Sequence, residues 1–203
     1  CDVTDAAAVA AAAAEVGAEL KGEALAGLVN NAGIAVSGPL LKVPIAELRR
    51  QLEVNLVGQM LITQSFAPLL GAAASRVTGK GRIVMVTSTA GRRAFPFMGP
   101  YAASKFGLEG LAESLRRELM LFGIDVIIVA PGPTATPIWD KAEAVLAAGS
   151  PEYEAFGLTG LRDLFSRRVA SLREHPPGES QRVRGQPGDL LLRRLPEPPQ
   201  DVA

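Results

Sequence analysis

The chain has 203 residues, 48% of them apolar, and its 21 basic side chains balance 21 acidic ones. That length suits one domain with a sizeable core, and the even charge excludes the global electrostatic footprint of a nucleic-acid or anionic-membrane binder. A single cysteine, Cys1, excludes an internal disulfide framework and fits a reducing compartment, with the cytoplasm as the default location; no apolar run reaches the length of a transmembrane segment.

The first residues, Cys1-Asp2-Val3, read as the tail of a strand. The chain opens without Met or a signal peptide, so its start is expected to be a cut. The Ala-rich segment from Ala6 to Leu20 has high helix propensity, with Thr4 or Asp5 placed to cap it. Leu25 to Val29, Arg82 to Thr87 and Ile124 to Ala130 have the length and flanks of buried parallel strands. Between them a helix is predicted from Pro44, near its first turn, toward Leu70, and another from Tyr101 to Leu121, with Leu108, Leu111, Leu115 and Leu119 at helical spacing. Alternating helix and buried strand predicts an open parallel α/β sheet over residues 1–161. Residues 162–203 diverge: from Arg173 onward Pro, Gly and Arg accumulate without apolar periodicity, as in a disordered or wrongly translated tail rather than a nucleic-acid arm. His175 reads there as a solvated histidine.

The strongest chemical signal is Tyr101-Ala102-Ala103-Ser104-Lys105. Tyr and Lys four apart at a helix start share one face. A nearby ammonium favours the ionised phenol and is expected to lower the Tyr101 pKa below its reference of about 10, suiting proton exchange with an alcohol or carbonyl oxygen. Alone such a pair is weak, since chance pairs occur in many helices. Ser88 follows the predicted strand Arg82 to Thr87, at the sheet edge where ligands bind; it reads either as a partner for the same substrate oxygen or as a local backbone cap. Asn30-Asn31-Ala32-Gly33 ends the first predicted strand with small residues that admit a flat ligand and amides that brace loops, or forms an ordinary turn. Asn55 is a poor helix former inside a helical stretch, functional or a simple kink. Pro131-Gly132 and Thr136 follow the third strand, where a turn is expected anyway. One Cys and one His are too few for a zinc site, and no other metal site is expected.

In this order, over Cys1 to about Glu143, these five elements resemble the short-chain dehydrogenase/reductase family. The resemblance implies a Rossmann-like, doubly wound parallel sheet, here partial, and an oxidoreductase using NAD or NADP. It implies Tyr101 as general acid/base, Ser88 orienting the substrate oxygen, Lys105 lowering the tyrosine pKa and bonding the nicotinamide ribose, and Asn55 holding a water in a proton relay. Asn30, Ala32 and Gly33 would line the cofactor side, Asp2 and Val3 would meet the adenine, and Pro131, Gly132 and Thr136 would secure the nicotinamide end. Ala94 to Met98 falls where the family lines its substrate cleft. Phe95, Phe97 and Met98 there suggest an apolar alcohol or carbonyl, or else pack the loop against the core. Trp139, with Ile138, belongs to a lid over that pocket or to a hydrophobic anchor. Family members commonly pair through two long helices, here Pro44 to Leu70 and Tyr101 to Leu121, so a homodimer or homotetramer is expected.

The sequence also departs from the family's pattern. The family's opening strand and glycine-rich phosphate turn are not found among the 203 residues, and Gly79-Lys80-Gly81 stands before a strand rather than opening a helix. Residues 176–203 contain no strand-like run to complete the sheet. A second reading follows: an inactive, truncated isoform acting through helix-mediated association.

Overall fold

The computed structural model describes residues 1–72 and 81–132, together with the helical positions Arg167 and Ala170. The expected boundary near residue 161 and the tail beyond it lie outside the described residues apart from those two positions. Asp5 starts the first helix, α1 (Ala6–Glu19): its carboxylate accepts from the amides of Ala7 and Ala8 at 2.9 and 3.0 Å. Of the two candidate caps it is Asp5 that acts, while Thr4 bonds back to Asp2. Cys1-Asp2-Val3 is not a strand. These residues form the turn leading into α1, held by the Asp2 carboxylate, which accepts from both the amide and the hydroxyl of Thr4.

Three strands follow at the predicted places: β1 (Gly27–Asn30), β2 (Arg82–Val86) and β3 (Asp125–Val129). They pair in parallel in the order β1-β2-β3, with Leu28 opposite Ile83 and Met85 opposite Ile128. Parallel neighbours need long crossovers. The first runs through α2 (Ile45–Leu52), a π-helical turn (Glu53–Val57) and α3 (Gly58–Phe66), the second through α4 (Gly99–Leu119). α3 packs on β1, α4 on β3, and α2 on α4, so the helices form one layer against the sheet.

The core lies between them: Ile83, Met85 and Val126 from the sheet meet Leu70, Leu108, Ala112 and Leu119 from the helical layer. Val84, Val86, Ile127 and Val129 alternate with the inward set and are only partly buried. The strands expected to be buried are so on one face, the one that the described helices cover. β1 is one edge of the three-stranded sheet, and Val29 on it is 63% exposed.

The helix expected from Pro44 to Leu70 is continuous in path but not in winding. Pro44 stands just before α2, and the π-helical turn interrupts it at Asn55. In an α-helix, side chains four apart drift by about 40° around the axis. A wider π turn reverses that drift. Gln51, Asn55, Gln59 and Thr63 consequently all stay on the buried face, each at most 2% exposed.

Candidate active site

The chain leaves β2 through buried Thr87 and reaches Ser88 in extended backbone, at the carboxyl edge of the sheet. Ser88 accepts from the Ala90 amide at 3.1 Å and so caps a short 3₁₀ turn, Thr89–Gly91. Its hydroxyl also faces the Tyr101 phenol closely enough to bear on that group's pKa. A hydroxyl has one proton and two lone pairs, so the cap and the phenol contact coexist. The Thr89 amide donates to the Pro131 carbonyl at 3.0 Å, which draws the turn after β3 to the same place.

Tyr101 sits in the first turn of α4 and Lys105 one turn later. The Lys105 ammonium donates to the Val86 carbonyl at 2.9 Å and stands 5.8 Å from the centre of the Tyr101 ring. Burial pushes the Lys105 pKa down to about 8. Burial also raises the Tyr101 pKa, and the nearby Ser88 hydroxyl works against that rise. The expectation that Lys105 holds the phenol below its ordinary value is therefore corrected. In this arrangement the ammonium bonds a backbone carbonyl, not the phenol oxygen, and loss of water around the ring dominates.

A second cluster ties this site to the loop after β1. Asn55 is fully buried; its Oδ1 accepts from the Ile34 amide at 2.8 Å, and its Nδ2 donates to the Ile34 carbonyl and to Ser104 Oγ. Gln51, one turn earlier, accepts from the Val36 amide at 2.6 Å and donates to the same Ile34 carbonyl and the same Ser104 Oγ. Gln59 donates to the Ala32 carbonyl. Asn30 is 3% exposed and its amide donates to Thr63 Oγ1 at 2.7 Å and toward Met85 Sδ at 3.1 Å, so it braces β1 against α3. What faces outward at this turn is Asn31, Ala32 and Gly33. A side chain at Gly33 would sit 3.3 Å from Asn55 Oδ1, so the turn and the π-helical asparagine are closely fitted.

A third tie joins α4 to the strand end. Thr87 Oγ1 donates to the Glu109 carboxylate, whose other oxygen takes Arg92 Nη2 at 3.3 Å. Both Thr87 and Arg92 flank the Ser88 turn, so α4 holds the serine segment as well as carrying the tyrosine.

The substrate candidates divide. Phe97 and Met98 are 7% and 3% exposed and pack the loop inward, Phe97 with a left-handed φ of 65°. The Gly38 amide donates to the Phe97 carbonyl at 2.8 Å. Phe95 is 46% exposed, with the Arg93 guanidinium 5.9 Å above its ring. Of the three, only Phe95 is open to a ligand. Asp2 is exposed, and Val3 packs on Gly58 at the start of α3. Thr136 and Trp139 lie outside the described residues. Sequence reasoning passed over Gln51, Gln59, Thr63 and Ser104. For Gln51, Gln59 and Thr63 the signal was present as polar residues at four-residue spacing along a helix face that also contains Asn55; Ser104 stood inside the Tyr101–Lys105 motif on α4.

A parallel sheet with helices against it, and polar side chains gathered at the carboxyl ends of its strands, defines a Rossmann-like α/β protein. The chain matches the short chain dehydrogenase family over residues 1–146 and belongs to it. It is 43% identical over 143 residues to an NADPH-dependent 3-dehydrocapnine reductase of Ornithobacterium rhinotracheale, covering 70% of this chain and 50% of that protein. With human retinol dehydrogenase 5 it shares 42% identity over 138 residues, covering 68% of this chain and 41% of the relative. Among solved structures it resembles NAD+-bound xylitol dehydrogenase, with a TM-score of 0.65 at 26% identity over 74% of this chain and 56% of that one. A gluconate 5-dehydrogenase of Burkholderia cenocepacia, in complex with NADP and tartrate, gives 0.62 at 29% identity over 74% and 55%. The chain thus spans about half the length of the relatives it matches, or less.

Proposed function

We propose that this protein is an NAD(P)-dependent oxidoreductase that interconverts an alcohol and a carbonyl on an apolar small molecule. The observation that carries this reading is the placement of the Ser88 hydroxyl and a buried Lys105 beside the Tyr101 phenol, at the carboxyl end of the central strand. An ammonium, a phenol and a serine hydroxyl suit the ribose and nicotinamide end of such a cofactor, and the exposed small residues Asn31 to Gly33 leave room for a flat ring. Among the described residues no glycine-rich turn leads from a strand into a helix to receive a pyrophosphate, so the fit concerns that end alone. Lys105 would hold the ribose, Ala32 and Gly33 would line the cofactor side of the cleft, and Pro131, Gly132 and Thr136 would secure the nicotinamide end, with Asp2 and Val3 toward the adenine.

When bound, the cofactor supplies or accepts the hydride. Ser88 orients the substrate oxygen, and Tyr101 gives it a proton or takes one. With its pKa raised, Tyr101 is protonated at neutral pH, ready to donate to a carbonyl oxygen. Asn55 anchors the π-helical turn next to the site and fits the proton-relay role of the family. Phe95 offers the exposed apolar contact that favours an apolar substrate.

The test is nicotinamide absorbance with a panel of apolar and polar alcohols and carbonyls. Turnover with the apolar members, lost in Tyr101→Phe, is the expected result; full turnover by that variant overturns the assignment. The alternative, an inactive chain acting through association, draws on Val57 and Phe106, 49% and 45% exposed on the two long helical segments. It predicts a stable oligomer with no dinucleotide binding, measured by light scattering and calorimetry.

A further inference from the structure

We propose that Gln51 is a positioning residue that acts through Ser104 to hold the start of α4, and with it Tyr101 and Lys105, against the loop that follows β1. The inference rests on the reading of Tyr101 as the proton-transfer group.

An amide side chain buried without partners is costly, and an apolar residue is the cheaper occupant of an inward helix position. Gln51 is 0% exposed on the inner face of α2, and each of its polar atoms is bonded. Two of the bonds answer a backbone need. After Asn30 the chain leaves the sheet, and the Ile34 carbonyl and Val36 amide have no strand to pair with. Buried backbone groups require partners, and Gln51 supplies one to each.

Its third bond goes elsewhere. Gln51 Nε2 donates at 3.2 Å to Ser104 Oγ, the residue immediately before Lys105. Ser104 is 0% exposed, accepts again from Asn55 at 3.2 Å, and donates at 2.7 Å to the Tyr101 carbonyl. One proton and two lone pairs are all engaged, so this hydroxyl cannot turn without breaking a bond. A continuous path therefore runs from the Val36 amide through Gln51 and Ser104 to the backbone of Tyr101. The Gly38 amide, bonded to the Phe97 carbonyl at 2.8 Å, ties the same loop to the approach of α4 a second time. Asn55 repeats the bonds to Ile34 and Ser104 but not the one to Val36, so Gln51 reaches farther along the loop.

Gln51→Met keeps the volume and removes the bonds; Ser104→Ala removes the hub. The phenol titration of Tyr101 is followed by tyrosinate absorbance in the chain itself, with Tyr153 subtracted using Tyr101→Phe, beside the thermal midpoint. A loosened helix start admits water, so each single variant should lower the Tyr101 midpoint by roughly half a unit or more, toward the reference of about 10. The double variant should move it no farther than the larger single change, because both cut one path. In the active enzyme the same variants should lower kcat more than they raise KM. A fall in thermal midpoint with an unchanged Tyr101 titration in both single variants reduces Gln51 to packing and overturns the proposal, as does strict additivity. A protein that turns over no alcohol or carbonyl defeats the oxidoreductase reading instead, and leaves the titration result standing.

Discussion

Lys105 Nζ stands 5.8 Å from the centre of the Tyr101 ring, while its hydrogen bond goes to the Val86 carbonyl at 2.9 Å. The two groups most central to the proposed chemistry are thus neighbours without a direct bond. Burial acts on both in the direction of the uncharged form, raising the phenol and lowering the ammonium.

Tyr101→Phe removes the hydroxyl and leaves the ring. Loss of one proton-transfer group costs on the order of 10²–10⁴-fold in rate, so turnover should fall by that factor with dinucleotide affinity unchanged. Only two tyrosines are present in the chain. An ultraviolet pH titration should therefore lose one step, the one lying above the ordinary tyrosine range. A variant that keeps both steps would mean that Tyr101 is not the shifted phenol.

Lys105→Met should stabilise the fold at neutral pH while abolishing activity. The folded pKa of Lys105 is lowered from 10.5 to about 8, so below that value the folded protein carries a buried charge that the unfolded chain carries in water. Stability of the wild type rises as pH climbs from about 8 to 10.5, where the unfolded state binds more protons than the folded one. The variant's advantage, about 1–3 kcal/mol at neutral pH after loss of the Val86 bond, should shrink across that window. Denaturant midpoints at several pH values measure it, and a variant less stable at every pH contradicts the burial argument.

Asn55→Leu removes the partner of the Ile34 amide, and Gln51 does not replace it because it reaches only the Ile34 carbonyl. One buried amide left unsatisfied costs about 1–3 kcal/mol. The thermal midpoint should fall by several degrees, and the loop from Ala32 to Val36 should lose protection in hydrogen exchange. Unchanged exchange there would show that the clamp is redundant.

How much of this was readable in advance follows from what kind of contact each residue makes. β2 and Ser88 were readable because an apolar run followed by a hydroxyl depends only on local order. The Tyr101–Lys105 pair was readable because helical spacing alone puts both on one face. The pKa of Tyr101 was not, since it depends on where the ammonium points, and the Val86 carbonyl that takes it lies nineteen positions away in sequence. Gln51, Gln59 and Thr63 were missed for a different reason. Periodicity assigns polar residues to the outside of a helix, whereas Gln51 and Gln59 face inward to serve backbone groups of a loop that no helix pattern describes, and Thr63 faces inward to accept from the Asn30 amide. Phe97 and Met98 show the converse: their apolar character fits a cleft and a core equally, and burial decides for the core.

Gly91→Ala tests whether the contact between the Ser88 turn and α4 sets the catalytic geometry. A Cβ at Gly91 would lie 2.8 Å from the Lys105 carbonyl oxygen and 3.1 Å from both the Lys105 carbonyl carbon and Glu109 Cγ. Two of those atoms are helix backbone and cannot swing away as a flexible side chain does. Relief requires the 3₁₀ turn to move off α4, and Ser88 caps that turn, so Ser88 retreats from Tyr101. Overpacking of this kind costs about 1–3 kcal/mol. A displacement near 1 Å in a reacting constellation costs on the order of 10²-fold in rate, so kcat should fall far more than stability alone accounts for. Gly110→Ala, on the same helix with nothing within 4 Å of its would-be Cβ, is the control. It should stabilise α4 by up to about 1 kcal/mol and leave kcat alone. If Gly91→Ala matched that control in both turnover and thermal midpoint, the close contact would have no part in placing Ser88.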